Sequence, residues 1–264
     1  MSRISTKFDL LKTENKKGLV TFITAGDPSI ETSKNVLDGL SDAGADFIEI
    51  GMPFSDPMAD GPAIQDSSLR ALENGMDLKG TLSMLSEFRK KNDSTPVILM
   101  GYFNPIYKYG CENFVRDAKS AGADGLIIVD LPPEEDEELR IPAQKSGLDL
   151  IRLVTPTTIG TRLDTVLENA SGFLYYVSIA GVTGTKSANV DEVGAHIELI
   201  KQKTNLPVAV GFGIKTPTDA ANMSKIADAV VVGSAIVENM KQNQEDSNIS
   251  SIINDQVSAL KKAI

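Results

Sequence analysis

The sequence contains no tryptophan, one cysteine and one histidine in 264 residues. Each scarcity removes a kind of chemistry. A lone cysteine, Cys111, forms no disulfide within the chain and builds no cysteine-based metal site. A lone histidine, His196, excludes histidine-cluster metal sites and argues against a serine–histidine–aspartate triad. Basic residues are outnumbered, 26 against 36 acids, for a formal net charge of −10. Such a chain repels nucleic acid and anionic lipid, which makes both poor partners. It also repels an anionic metabolite, unless backbone N–H groups or a lysine build a local site. No stretch of about 18 uncharged apolar residues is present to span a membrane. The opening "MSRISTKFDLLKTENKKG" lacks the apolar core of a secretory signal, so a cytosolic protein is expected. Any catalysis must then come mostly from carboxylates.

What is present is a rhythm of short apolar runs. They are "LVTFITAG" (19–26), "DFIEIG" (46–51), "PVILMGY" (96–102), "GLIIVDL" (125–131), "DLIRLVT" (149–155), "FLYYVS" (173–178), "PVAVGFG" (207–213) and "AVVVGSAIV" (229–237). Each is rich in Val, Ile or Leu and bounded by turn residues, the pattern of strands. Near-continuous rather than alternating apolar residues indicate strands covered on both faces. The intervening segments have helical spacing. In "SIETSKNVLDGLSDAGA", Val36, Leu37 and Leu40 share a stripe and Ser29 stands at the N-cap position. "AGAD" occurs at 43–46 and 121–124, each time before a strand, as if one helix-to-strand turn were used twice.

Eight strands, each followed by helical sequence, in a chain of this length predict an α/β fold: a single (β/α)8 barrel over residues 1–264. An extra N-terminal helix and a long loop after the second strand, the latter leading into about two helices, complete the expectation. A doubly wound open sheet is the alternative, but "TFITAGDPS" after the first strand is not its GxGxxG fingerprint. The tail reads as a polar connector and a terminal amphipathic helix.

Active sites of such barrels lie at the C-terminal ends of the strands. Glu49 falls there, inside "IEIGMPFSDPMADG" (48–61). Side chains alternate along a strand, so packing Ile48 and Ile50 against helices turns Glu49 into the barrel. Apolar surroundings raise a carboxyl pKa, and a carboxyl so tuned suits general acid/base work; a structural acid pairing with a lysine is the plainer alternative. Asp56 and Asp60 follow on the loop, where aspartate commonly bonds its own turn backbone. Glycine-bearing turns after the last three strands, "AGVTGTKS" (180–187), "GFGIKTP" (211–217) and "VGSAIV" (232–237), let backbone N–H groups converge on an anion. A helix beginning at Ser234 would add its positive end. Phosphate binding after the seventh and eighth strands would answer the charge problem without a basic patch. His196 reads as a surface or helix-packing residue and Cys111 as a small hydrophobe. "PPEEDEELR" (132–140) reads as an acidic helix start on a solvated face.

"IEIGMPFSDPMADG" resembles the signature of the tryptophan synthase α subunit. "TFITAGDP", "MGYFNPI" (100–106), "VDLPPEE" (129–135), "YYVSIAGVTG" (175–184), "GFGI" and "VGSAIV" follow that family's order and spacing over essentially the whole chain. The resemblance implies a (β/α)8 lyase that cleaves indole-3-glycerol phosphate to indole and glyceraldehyde 3-phosphate without a cofactor of its own. It implies Glu49 as the general acid/base and Asp60 as acceptor of the indole N–H. It places Phe22, Met100, Ile127, Leu153, Tyr175 and Phe212 around the indole, Thr183 and Gly184 on a loop that closes over substrate, and Gly213, Gly233 and Ser234 at the phosphate. Position 179 is Ile where some members have Arg. The resemblance further implies a pyridoxal-phosphate β subunit in an αββα complex, with Pro53 and Asp56 in the interface region, and indole passed on for tryptophan biosynthesis. Against this stand another phosphate-binding barrel, such as a sugar-phosphate isomerase or an indole-glycerol-phosphate synthase, the latter expected to carry strand-end lysines that are not found, and a non-catalytic regulatory barrel, which need not keep both Glu49 and Asp60. A stand-alone indole producer is not separable by sequence.

Overall fold

The structure is a computed structural model and describes residues 2–177, 189–211 and 213–264. Among these, nine strand segments form one all-parallel sheet: β1 (Gly18–Thr24), β2 (Phe47–Gly51), β3 (Val97–Gly101), β4 (Gly125–Ile128), β5 (Asp149–Leu150), β6 (Arg152–Val154), β7 (Leu174–Val177), β8 (Val208–Gly211) and β9 (Ala229–Val232). Helices α1 (Arg3–Thr13), α2 (Ile30–Leu40), α3 (Pro62–Glu73), α4 (Leu78–Arg89), α5 (Phe103–Tyr109), α6 (Cys111–Ala121), α7 (Glu137–Ser146), α8 (Gly160–Leu167), α9 (Val190–Lys201), α10 (Pro217–Ser224), α11 (Ser234–Gln242) and α12 (Ile249–Lys262) surround it.

The spatial order β5-β4-β3-β2-β1-β9-β8-β7-β6 closes on itself, because β5 and β6 are two halves of one strand. Asp149 and Leu150 pair with β4, Arg152 to Val154 pair with β7, and Ile151 joins them, its N–H donating to Leu126 O at 2.9 Å. The result is the expected (β/α)8 barrel. Several strands end sooner than their apolar runs: the run 229–237 is strand only to Val232, and Ser234 already begins α11. Once the chain passes the rim no parallel neighbour remains to pair with, and helix becomes the way to satisfy the backbone.

Strand alternation sorts the core into two clusters. Outward residues such as Leu19, Ile23, Ile48, Ile50, Leu99 and Val230 pack against the helices, with Val36, Leu37 and Leu40 of α2. Inward residues Val20, Phe47, Ile98, Ile127, Ile151, Phe173, Tyr175, Ala209 and Val231 fill the barrel. The extra helix α1, capped by Ser2 accepting the Ser5 N–H, presses Ile4, Phe8 and Leu11 into the N-terminal end of that interior. The Phe8 and Phe47 rings stand 4.5 Å apart and both approach Phe173. Burying each such ring is worth roughly 1.5–3 kcal/mol. With that end plugged, access to the interior is left to the C-terminal mouth.

The repeated "AGAD" turn has a physical reason. Its glycines, Gly44 and Gly122, take φ of 113° and 97°, where a side chain would be strained. Its aspartates each accept a backbone N–H at the start of the preceding strand: Asp46 from Leu19 at 2.8 Å and Asp124 from Val97 at 2.9 Å. Asp228 does the same for Val208 at 2.8 Å. A basic residue balances each charge, among them Lys261 of α12 on Asp46 and Arg89 of α4 on Asp124, both at 2.7 Å. At the mouth, Arg70 of α3 grips the buried Asp27 in a two-point ion pair of 2.7 and 3.1 Å, tying the loop after β1 to the helix after β2.

The acidic stretch 132–140 corrects the sequence reading at one residue. Most of its acids are exposed, but Asp136 is 1% exposed. It pairs with Arg140 at 2.8 Å and with the buried Arg152 of β6. A charged pair of that depth joins α7 to the barrel wall. His196 and Cys111 take the plain roles expected of them. His196 packs α9 on the barrel through its Nδ1, 3.1 Å from the Tyr176 hydroxyl, and Cys111 is buried.

Candidate active site

Glu49 is the third residue of β2 and points inward, level with Phe22 on β1 and Ile98 on β3. It is fully buried, and neither carboxylate oxygen has a hydrogen-bond partner among the described residues. Desolvation without compensation disfavours the charged form, and burial pushes its pKa up to about 8. A carboxyl in this state holds a proton at neutral pH and can give it up.

Asp60 comes from the loop that follows. The sequence there makes a turn of its own, with the Asp60 N–H donating to Pro57 O at 3.0 Å, before Gly61 and Pro62 open α3. Proline at the first helical position costs no hydrogen bond and sets the helix entry. Gln65 Nε2 donates to Asp60 O at 2.8 Å, pinning the backbone from within α3. The Asp60 side chain accepts from the Tyr102 hydroxyl at 2.9 Å. Burial raises its pKa to about 6, and the Tyr102 bond works the other way.

Tyr175 of β7 joins the two carboxyls. It is 8% exposed, and its phenol is pushed well above its ordinary range by burial, then by the charges of Glu49 and Asp60. Its ring needs Gly211 opposite, on β8. A Cβ there would stand 2.2 Å from the Tyr175 hydroxyl oxygen. Gly51 serves Phe22 in the same way, since a Cβ there would lie 2.5 Å from the end of the Phe22 ring.

Around these groups the mouth is apolar. Met100 and Ile127 are register partners on β3 and β4, and Leu153 and Tyr175 on β6 and β7. Met100 and Leu153 are half-buried, Ile127 fully buried and Phe22 6% exposed. So five of the six predicted ring-binding residues, Phe22, Met100, Ile127, Leu153 and Tyr175, fall on the inner wall, and the sixth, Phe212, lies outside the described residues. Val129 and Val177, also half-buried there, were not predicted; each lies two residues beyond a predicted wall position, Ile127 and Tyr175, which period-two alternation would have signalled. Tyr102, too, was passed over.

Gly233 caps α11, and Ser234 is its first, exposed residue. No side chain among the described residues caps this helix, and Gly233 lies against Phe22, a Cβ there standing 3.3 Å from the Phe22 Cβ. An uncapped helix N-terminus is an electropositive place beside the same wall that holds Glu49. Gly213, at φ 81°, is exposed in the loop after β8. Pro53 is buried and Asp56 exposed on the loop after β2. Thr183, Gly184 and Phe212, with Ile179, lie outside the described residues. No group of three or more metal-ligating side chains occurs among the described residues, and none of their helices is long and apolar enough to cross a membrane.

Comparison with known proteins gives a consistent picture. A family model described as tryptophan synthase alpha chain matches residues 8–264. Among solved structures, the tryptophan synthase subunit alpha of Legionella pneumophila str. Paris is 42% identical. The match covers 100% of this chain and 98% of that one, with a TM-score of 0.94. A chain from Aquifex aeolicus VF5 is 36% identical, covering 100% and 99%, with a TM-score of 0.92. A chain of tryptophan synthase from M. tuberculosis in its aminoacrylate-bound form is 29% identical, with full coverage of both chains and a TM-score of 0.89.

Proposed function

This chain belongs to the tryptophan synthase alpha chain family, and from that premise we propose that it cleaves indole-3-glycerol phosphate into indole and glyceraldehyde 3-phosphate. The observation that carries the reading is Glu49: a fully buried carboxyl, with both oxygens unpartnered among the described residues, in the wall of an apolar mouth.

The reaction needs a proton added at the indole C3, which turns the ring into a leaving group. It needs a proton removed from the glycerol hydroxyl, after which the carbon–carbon bond breaks. The bond's electron pair returns to the indole ring and the alcohol carbon becomes the aldehyde. Glu49, protonated near neutral pH, is suited to move these protons. Asp60 accepts the indole N–H and stabilises the positive charge that grows on that nitrogen during protonation. Phe22, Met100, Ile127, Leu153 and Tyr175 supply an apolar slot for the ring, in which a carboxylate acts more strongly than in water.

The substrate's phosphate would be met by backbone N–H groups at Gly233, Ser234 and Gly213, which answers how a chain of net charge −10 holds an anion. Thr183, Gly184 and Phe212 complete the proposed substrate contacts on the basis of the family pattern. Indole would pass to a pyridoxal-phosphate β subunit in an αββα complex, with the loop bearing Pro53 and Asp56 at the interface. This chain would contribute no cofactor to that step, and the pair would work in the cytoplasm on tryptophan biosynthesis.

The test is indole release from indole-3-glycerol phosphate by the purified chain, with and without a β subunit, beside Glu49→Gln. Release stimulated by the partner and lost in Glu49→Gln is expected. Ligand binding without release, under either condition, would instead favour a regulatory barrel.

A further inference from the structure

Tyr102 follows β3, and its hydroxyl makes two contacts with the loop after β2. It donates to Asp60 Oδ2 at 2.9 Å and accepts the Ala59 N–H at 2.9 Å. A phenol has one proton. With the Ala59 N–H pointing at the oxygen, that proton is committed to Asp60, so Asp60 Oδ2 must act as an acceptor. The Tyr102 ring is 4% exposed and packs on Phe54 of the same loop, centroids 5.3 Å apart, which leaves the hydroxyl little freedom to turn elsewhere. Among the described residues no hydrogen bond reaches the other oxygen, Asp60 Oδ1.

We propose that Tyr102 is a positioning residue: its hydroxyl anchors Asp60 through Oδ2, keeps it a carboxylate, and leaves Oδ1 facing the mouth to accept the substrate's N–H. The inference deepens the reading of the mouth as the lyase site and rests on it. The direction of the electrostatics agrees. Burial raises the Asp60 pKa and the Tyr102 bond lowers it. Burial, then the Asp60 charge, makes the Tyr102 proton harder to remove, and the more distant Asp130 adds to this. Among the described residues, Tyr175 also feels the charges of Asp60 and Glu49, and each of these groups is negative when ionised, whereas the Tyr102 hydroxyl donates to Asp60 and so favours its charged form.

The experiment is a carboxyl-carbon NMR titration of Asp60, assigned by difference from Asp60→Asn, in the wild type and in Tyr102→Phe. Removing the hydroxyl is expected to raise the Asp60 midpoint by about one pH unit. The low-pH limb of kcat/KM for indole release should move up by the same amount, and kcat should fall about tenfold while KM changes little. An unmoved Asp60 midpoint in folded Tyr102→Phe would overturn the proposal. Should that variant not fold, 3-fluorotyrosine at position 102 decides. It keeps the shape and makes the hydroxyl a stronger donor, so the midpoint should fall, and no fall would overturn the proposal. The titration needs no turnover, so absence of indole release in the wild type would count against the lyase reading alone.

Discussion

Phe22 and Glu49 are register partners on neighbouring strands, and they set an aromatic ring where a carboxyl would otherwise find water. Glu49 therefore keeps its proton to about 8. Asp60, on a loop and bonded to Tyr102, releases its proton at about 6. Two carboxyls whose environments separate their pKa values can hold opposite protonation states at one pH.

The first consequence is a bell-shaped pH dependence. Indole release measured as kcat/KM should rise as Asp60 ionises, with a midpoint near 6, and fall as Glu49 loses its proton, with a midpoint near 8. Asp60→Asn should remove the low-pH limb. Glu49→Gln should lower kcat by about 10²- to 10⁴-fold. A flat profile between those midpoints, with the limbs absent, would separate these residues from the chemistry.

Stability carries the same signature with its own sign. The folded pKa of Glu49 lies above its ordinary 4.5, so the unfolded chain releases this proton first. The contribution of the group to stability is complete below 4.5 and is lost as pH rises towards about 8. Within that window each pH unit should cost about 1.4 kcal/mol. Glu49→Gln cannot ionise, so urea unfolding across the window should show it gaining on the wild type as pH rises. Parallel pH dependences for the two proteins would mean that Glu49 is ionised in the folded state.

Gly211 and Tyr175 are matched by shape. Because a Cβ on Gly211 would meet the Tyr175 hydroxyl at 2.2 Å, Gly211→Ala should force the ring from its place. The expected cost is about 1–3 kcal/mol of stability, with a fall in indole release. Tyr175→Leu in the Gly211→Ala background should recover part of the lost stability. Additive losses in the double variant, measured by a denaturation cycle, would show that the two positions do not compete for the same space.

The Asp136–Arg152 pair predicts a large effect away from the mouth. Both side chains are buried, and Arg152 is held down to about 10 by burial. Arg152→Met leaves Asp136 with Arg140 alone and should cost about 3–5 kcal/mol. The Asp136→Leu, Arg152→Met double variant, which leaves neither member of the pair charged in the interior, should be the more stable of the two. Thermal unfolding of the two variants checks the order.

How much of this was open to reading beforehand differs by residue. Glu49 could be placed inside the barrel because alternation within one strand is local: the flanks Ile48 and Ile50 belong with the helices, so Glu49 does not. Tyr102 could not be placed, since its two contacts with the loop depend on an approach between positions 42 and 43 residues apart. Asp136 sits in a run of acids that reads as solvated, and only Arg152, 16 residues on, draws it into the wall.

The order of strands and helices, the parallel barrel, the capping at Ser29, the glycine turns and the inward direction of Glu49 are determined by periodicity and turn chemistry, which act within a few residues. The closure of the ring through Ile151, the plug formed by α1, the burial of the Glu49 carboxyl without a partner among the described residues and the partner that holds Asp60 are decided by the tertiary structure. Desolvation and hydrogen bonding between distant segments depend on what the whole chain brings against each group, and no local stretch carries that information.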